Sequence, residues 1–131
     1  MSILEDYIKE MEKDVIFDDF TIKDTQMKLP AIKHKWVGRL VRHKQQLHVK
    51  EAAYNKLKKR LMKEAKEAST YQISNPALEK VVIKHDTLVE KQEEIEDEKL
   101  LIDFLEKGEK LFNGMSFDIK NLVEIMKMET L

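Results

Sequence analysis

The sequence contains no cysteine, and only two prolines and three glycines among its 131 residues. Without cysteine the chain can form neither a disulfide nor a thiolate metal site, and it has no Cys nucleophile. Proline and glycine are the residues that most often end helices, so their scarcity predicts long helices. The fold class is therefore predicted to be all-α, in a single helical domain over residues 1–131.

Long apolar runs are also missing: none reaches the length of a membrane-spanning helix, and the first residues lack the pattern of a signal peptide. We therefore expect no membrane segment and no export. Charged residues make up 37% of the chain, against roughly 25% in an ordinary globular domain. The apolar stripes must then be narrow, so a lone chain would bury little and association with further copies is expected.

The charges that are present are segregated along the chain. The net charge is −1, yet more than half of the 24 Lys and Arg lie between Lys28 and Glu67, against three acidic residues. The flanking segments are acidic. The near-neutral net charge conceals this basic segment. A basic segment of this kind indicates contact with a polyanion.

Hydrophobic periodicity, capping residues and breakers predict five helices, at about residues 3–14, 20–28, 31–69, 77–112 and 117–128. Pro30 is expected to break or kink the chain. Ser69 to Asn75 reads as the main loop, Asn113-Gly114 as a C-cap and Ser116 as an N-cap. A break near His85-Asp86 that would split the fourth helix stays open.

Apolar residues recur every seven positions in both long helices, as in a coiled coil. They are Leu40, Leu47, Tyr54 and Leu61 in the basic helix, and Val81, Leu88, Ile95 and Ile102 in the acidic helix. If the two helices fold back on each other, facing residues have numbers that sum to roughly 144. The acidic run Glu90 to Glu98 then faces the region of Lys50, whereas Lys56 to Lys66 faces no concentration of carboxylates.

Several cations share one side of the basic helix. At about 100° per residue, an arc roughly 80° wide opposite Leu40 contains Lys35, Arg42, Lys56, Arg60 and Lys63. Lys56, Lys58, Lys59 and Arg60 moreover place four cations within five positions. Such crowding weakens a helix unless an anion is near, which favours phosphate binding at this segment.

The aromatic residues divide into core and surface candidates. Trp36 lies on the apolar stripe and is expected in the core rather than as a platform for base stacking. Tyr54 is interpreted as part of the seam. Tyr71, in the polar loop beyond the basic helix, is the candidate for base stacking.

Residues for catalysis or metal binding are not arranged in any recognisable pattern. No two of His34, His43 and His48 are three or four positions apart, so they cannot share a metal on one helical face. His85-Asp86 has no Ser or Cys nucleophile pattern near it, and no Gly-rich phosphate loop is present. We expect no enzyme activity, no metal and no cofactor.

Several segments, taken in order, resemble the UvsY recombination mediator family of T-even-type bacteriophages. The matching segments cover nearly the whole chain: Leu4-Glu5-Asp6, Lys13-Asp14-Val15, Lys35-Trp36, Leu57-Lys58-Lys59-Arg60-Leu61, Leu101-Ile102-Asp103-Phe104, and Gly114, Phe117, Ile119 and Lys120. The resemblance implies a small helical protein that binds single-stranded DNA and assembles into a ring of six or seven copies. It further implies that the protein helps a RecA-like recombinase displace single-strand-binding protein, in the cytoplasm of the infected bacterial host.

The resemblance also implies roles for particular residues. The family motif Leu-Lys-Ala-Arg-Leu maps onto Leu57 to Leu61, with Lys58 and Arg60 contacting phosphate and Lys59 in place of the family's Ala. The C-terminal helix resembles the part that the family needs for assembly. The candidates for contact between subunits are Ile119, Leu122, Val123 and Met126.

Two other functions compete with this one. In the first, the protein is a helical scaffold whose basic stretch pairs with the acidic stretch of a neighbouring subunit and never meets nucleic acid. In the second, the basic helix lies on anionic lipid; this is weaker because its apolar stripe is narrow and lacks Phe or a second Trp. Salt separates the first from DNA binding, because moderate salt should dissolve a charge-paired assembly but leave an apolar seam intact.

Overall fold

The computed structural model describes residues 2–130, and within them the secondary structure consists of four helices and no strand. Helix α1 spans Ile3–Asp14, α2 spans Ile22–Ala68, α3 spans Asn75–Val82 and α4 spans Asp86–Glu129. The predicted all-α class is confirmed. The bounds of α1 are those predicted, and the hydroxyl of its N-cap Ser2 accepts a hydrogen bond from the Glu5 amide at 3.2 Å.

Helix α2 runs through Pro30, so the predicted break at this residue is wrong. The short helix over 20–28 and the basic helix over 31–69 are one element of 47 residues. Proline lacks the amide that would bond to the carbonyl four residues earlier. The ring of Pro30 lies on the exposed side, while the preceding Leu29 is only 3% exposed. Packing of that neighbour holds the helix together across the missing hydrogen bond.

The predicted helix over 77–112 is interrupted, at the position that the sequence had left open. Helix α3 ends at Val82 and α4 begins at Asp86. The interruption changes which residues face inward: Leu88, Ile95 and Ile102 are buried as expected, whereas Val81 is 69% exposed and Val82 is buried in its place. A seven-residue repeat keeps its phase only along an unbroken helix.

Helix α4 continues through Asn113-Gly114, so the predicted C-cap and the separate helix over 117–128 are wrong. No glycine in residues 2–130 has a positive φ, the conformation that a glycine C-cap uses. Phe112, Met115 and Ile119, at helical spacing on one face, are all at most 3% exposed. Their burial on both sides of Gly114 offsets the low helix propensity of glycine.

Gly114→Ala is expected to raise the free energy of unfolding by about 0.5–1 kcal/mol, because alanine is the better helix former. A Cβ at this position meets nothing within 4 Å. At Gly108 a Cβ would overlap the side-chain end of Met11, so the gain there should be offset. Chemical denaturation of both variants measures the difference; destabilisation by Gly114→Ala would indicate a helix end after all.

The described chain divides into two compact units. Unit 1 comprises the residues up to Arg42 and those from Leu101 onward, and unit 2 comprises His43–Leu100. Both α2 and α4 contribute to each unit. Whether the whole chain behaves as a single domain stays a prediction.

The core of unit 1 is built around Trp36, which is 1% exposed, as the sequence analysis expected. Its ring stacks on Phe112 with a centroid distance of 6.3 Å and meets the ring of Tyr7 edge-on at 5.6 Å. The indole Nε1 donates a hydrogen bond of 2.8 Å to Oδ2 of Asp14. This contact satisfies the one polar group of a buried tryptophan and ties the end of α1 to α2.

Unit 2 has a more one-sided core. Its buried apolar residues lie on α3 and α4: Leu78, Val82, Leu88 and Ile95. On α2, the seam residues Leu47, Tyr54, Leu57 and Leu61 are only half-buried. An apolar stripe that stays half-covered in one chain leaves area for a further contact.

Across residues 2–130, no helix combines the length and the apolar character needed to cross a bilayer.

Candidate nucleic-acid interface

The second half of α2 carries a row of exposed cations in unit 2. They are Lys56, Lys59, Arg60 and Lys63, here called the outer cationic face, and all four are exposed. At about 100° per residue they fall within an arc of roughly 100°, on the side opposite the half-buried Leu57 and Leu61. The leucines turn one side of α2 inward, so the four cations on the other side project into solvent.

Arg60 remains available although a carboxylate is near it. Its side chain is 67% exposed, and its Nε lies 3.7 Å from Oε1 of Glu64, one turn along the helix. Exposed pairs at this spacing contribute only about 0.3–0.5 kcal/mol. Such a pair can open to admit a phosphate group at little cost.

Lys58 is placed differently from the outer cationic face. Its side chain is 23% exposed, and its Nζ lies 2.6 Å from Oε1 of Glu79 in α3. Lys58 therefore sits at the border between α2 and α3. The expectation that the segment from Lys56 to Lys66 has no carboxylate partner is wrong for this residue.

The register of the two helices in unit 2 agrees with the predicted hairpin where α4 is continuous. Lys50 Nζ contacts Oε2 of Glu98 at 2.9 Å, so the end of the acidic run does face Lys50. The contacts made by Lys58 and Arg60 are to Glu79 and Glu64, not to the acidic run. A sum of roughly 144 would place Glu79 opposite about residue 65 instead of Lys58. The interruption between Val82 and Asp86 lies between α3 and the continuous part of the acidic helix.

Lys35 lies in unit 1 and is held by carboxylates, contrary to its expected place on an open cationic arc. Its Nζ lies 2.6 Å from Asp14 and 3.0 Å from Glu10. Burial lowers the pKa of Lys35, but the hydrogen bonds to Asp14 and Glu10 outweigh this effect and raise it. The hydrogen bond from Arg39 in turn lowers the pKa of Glu10. Lys35 thus fastens α2 to α1.

Arg42 is exposed in unit 1, and its Nε donates a hydrogen bond of 3.2 Å to the carbonyl of Gly38 one turn earlier. That bond orients the guanidinium along the helix surface. It leaves the other donors of the planar fork for an anion.

Tyr71 is 77% exposed in the loop between α2 and α3. The hydroxyl of Ser69 donates a hydrogen bond of 2.7 Å to the Tyr71 carbonyl, which shapes the loop. Beyond it, Ser74 caps α3 by accepting from the Ala77 amide, and Pro76 occupies the first turn. An aromatic ring so exposed next to the end of the basic helix can stack on a base.

The four candidates for contact between subunits differ in burial. Ile119 is only 3% exposed and packs inside its own unit, because it continues the face of Phe112 and Met115. Leu122, Val123 and Met126 are half-buried. Phe117 on the same helix, at 70% exposure, is a larger apolar surface that the candidate set did not include.

Glu98 is a polar core residue that was not singled out from the acidic run Glu90 to Glu98 in the sequence. It is 5% exposed, and its Oε1 lies 2.6 Å from Nδ1 of the buried His43. Its burial could have been predicted from the sequence, because it lies three residues after Ile95 and therefore on the same, inner face of the helix. Among residues 2–130 no group of His, Asp and Glu has the arrangement of a metal site.

Compared with solved structures, the chain has the fold of a phage recombination mediator. The matching structures are three crystal structures of UvsY from bacteriophage T4, described as a recombination mediator protein, and the TM-scores are 0.86, 0.80 and 0.78. Sequence identity is 17%, 18% and 17%, and the matches cover 98%, 100% and 95% of this chain and 99%, 99% and 98% of the UvsY chains. The resemblance found in the sequence is confirmed at the level of the fold.

Comparisons of sequence alone find no match, either to a family model or to a curated protein.

Proposed function

We propose that this protein is a single-stranded DNA-binding recombination mediator that loads a RecA-like recombinase onto DNA covered by single-strand-binding protein. The observation that carries the proposal is the T4 UvsY fold along nearly the whole chain, combined with the outer cationic face on α2. The protein acts without catalysis, in the cytoplasm of the infected host. Its partners are the DNA, the phage recombinase, the phage single-strand-binding protein and further copies of itself.

The outer cationic face binds the phosphate backbone. Lys56, Lys59 and Lys63 recur at i, i+3 and i+7, so they span about 10 Å along α2, which is the reach of a few nucleotides. Arg60 adds a planar donor group, and Tyr71 stacks on a base. Contacts of this type do not discriminate sequence, as a protein that gathers any single strand requires.

Assembly of several copies supplies the affinity for single-stranded DNA that one chain lacks. Three or four phosphate contacts bind weakly and are lost quickly as salt rises, whereas six or seven linked copies bind together. The half-buried seam of α2 in unit 2 and the side chains of Leu122, Val123 and Met126 leave apolar area for such assembly. The ring of six or seven copies is part of the proposal.

The triple variant Lys56→Ala, Lys59→Ala, Lys63→Ala is expected to bind a single-stranded oligonucleotide about 10–100-fold more weakly near 0.1 M salt. Each lost phosphate contact should also reduce the slope of log affinity against log salt by about 0.7, hence by about 2 for three contacts. Fluorescence anisotropy with a labelled oligonucleotide across a salt series measures both quantities. Because all three side chains are exposed, the fold should be unaffected.

The matched control changes three exposed lysines of unit 1, Lys9, Lys23 and Lys110, to alanine. It alters the net charge by the same amount, and a change of affinity of no more than a few-fold is expected. Equal affinity of the triple variant and the unaltered protein would refute the proposed site.

One observation favours the charge-paired scaffold as a second candidate function. Glu90, Glu93 and Asp97 are exposed on α4 and recur at i, i+3 and i+7, the same spacing as Lys56, Lys59 and Lys63. Two copies could therefore align three cations with three anions. Light scattering across a salt series decides between the two functions. An assembly that dissolves at about 0.3 M salt supports the scaffold, and one that persists while DNA is released supports the mediator.

A further inference from the structure

Lys58 has a carboxylate partner within its own chain. Its Nζ lies 2.6 Å from Oε1 of Glu79, and its side chain is 23% exposed. The neighbouring Lys59 and Arg60 are exposed, and the only carboxylate contact of Arg60 within the described residues is the loose one to Glu64. Among the four crowded cations from Lys56 to Arg60, Lys58 is therefore the one closely engaged by an anion.

The partner is held in place by the packing of α3. Leu78 and Val82, on either side of Glu79 in the sequence, are 3% and 6% exposed. The start of α3 is fixed by the Ser74 cap and by Pro76. The Glu79 side chain lies at the edge of this buried stripe and is 50% exposed, so its carboxylate both reaches Lys58 and stays in contact with solvent.

We propose that Glu79 is a built-in competitor of phosphate for Lys58, and that it limits the affinity of this site for single-stranded DNA. This inference rests on the proposed function. An ammonium group engaged by a carboxylate at this distance must leave it, or share its donors, before it binds a phosphate oxygen. Lys58 therefore contributes less to DNA binding than its charge suggests.

A mediator benefits from a limit of this kind, because it must release the strand to the recombinase. The pair is partly exposed, and pairs of this kind are worth about 0.2–1 kcal/mol; the close contact places this one in the upper part of that range, so removing the competitor should raise affinity by about twofold to fivefold. The same change applies in every copy of an assembly, so the free-energy changes add and the fold-changes compound over the copies that contact one strand.

The test is a double-mutant cycle on the affinity for a labelled single-stranded oligonucleotide at low salt. Glu79→Gln keeps the size of the side chain and is expected to raise affinity about twofold to fivefold per chain. In the background of Lys58→Ala the same substitution should have no effect, because there is no ammonium to release. Glu79→Ala provides a second variant, and far-UV circular dichroism confirms that each variant is folded.

The control is Glu93→Gln, an exposed glutamate of unit 2 on α4 that removes the same charge without touching a lysine. This control distinguishes the release of the Lys58 ammonium group from a general decrease in the electrostatic repulsion between the protein's carboxylates and DNA. Unchanged or lowered affinity of Glu79→Gln, or a rise that persists in the Lys58→Ala background or is matched by Glu93→Gln, would overturn the inference. Absence of DNA binding by the unaltered protein would instead refute the proposed function itself.

Discussion

Replacing Trp36 by alanine is expected to lower the free energy of unfolding by about 3–5 kcal/mol. The side chain is 1% exposed and stacks on Phe112, so the substitution leaves a large cavity in unit 1. It also deprives Asp14 of the indole hydrogen bond and Arg39 of an aromatic face at 4.8 Å. Because α1 contacts α2 through these groups, its docking should weaken most.

Trp36→Phe is the matched control. It keeps an aromatic ring for Phe112 and Tyr7 but removes the Nε1 donor, so a loss of about 1–2 kcal/mol is expected. Urea denaturation followed by far-UV circular dichroism, at one protein concentration for all variants, measures both changes. Since the chain has one tryptophan, its fluorescence in the unaltered protein reports on unit 1. A loss below about 1 kcal/mol for Trp36→Ala would show that this core is assigned wrongly.

Periodicity and composition predicted those parts of the fold that depend on regular helix. The seven-residue spacing identified Leu88, Ile95 and Ile102 as buried, and Trp36 was expected in the core because it shares the stripe of Leu40. These predictions are confirmed because the spacing of apolar residues in the sequence identifies the buried face of a long amphipathic helix.

The errors have one physical cause: contacts distant in sequence outweigh local propensity. Pro30 and Gly114 are weak helix formers, yet Leu29 and Phe112 beside them are buried, and that burial holds α2 and α4 continuous. The opposite error occurs at the end of α3. The repeat that links Val81 to Leu88 predicted an unbroken helix, but the helix ends at Val82. A local sequence pattern does not determine which of the two neighbouring valines, Val81 or Val82, is buried in the core.

The candidate site was predictable in its location but not in its internal pairing. Crowded cations pointed to the segment from Lys56 to Arg60, and the exposure of Lys56, Lys59 and Arg60 follows from the leucines on the opposite side of the same helix. The Lys58–Glu79 ion pair depends on where α3 ends, and hence on tertiary structure. The same holds for Lys35, whose partners Glu10 and Asp14 lie on α1.

Replacing Glu98 by alanine is expected to destabilise the protein by about 3–5 kcal/mol, because it removes one member of a buried, charged cluster. Glu98 is 5% exposed; its Oε1 lies 2.6 Å from His43 and its Oε2 2.9 Å from Lys50. A carboxylate only accepts hydrogen bonds, so Nδ1 of His43 is the donor. The substitution removes the carboxylate that this buried donor contacts, while Lys50, at 35% side-chain exposure, can turn to water.

The matched control is Glu94→Ala, which removes an exposed acid one turn earlier on α4 and should change stability by less than about 0.5 kcal/mol. Adding His43→Leu to Glu98→Leu tests the cause. If the cost of losing Glu98 comes from the broken contact with His43, an apolar pair of similar volume should recover most of it. Urea denaturation of the four variants distinguishes the two explanations: recovery assigns the cost to the broken contact with His43, whereas equal loss in the double variant assigns it to packing around residue 98.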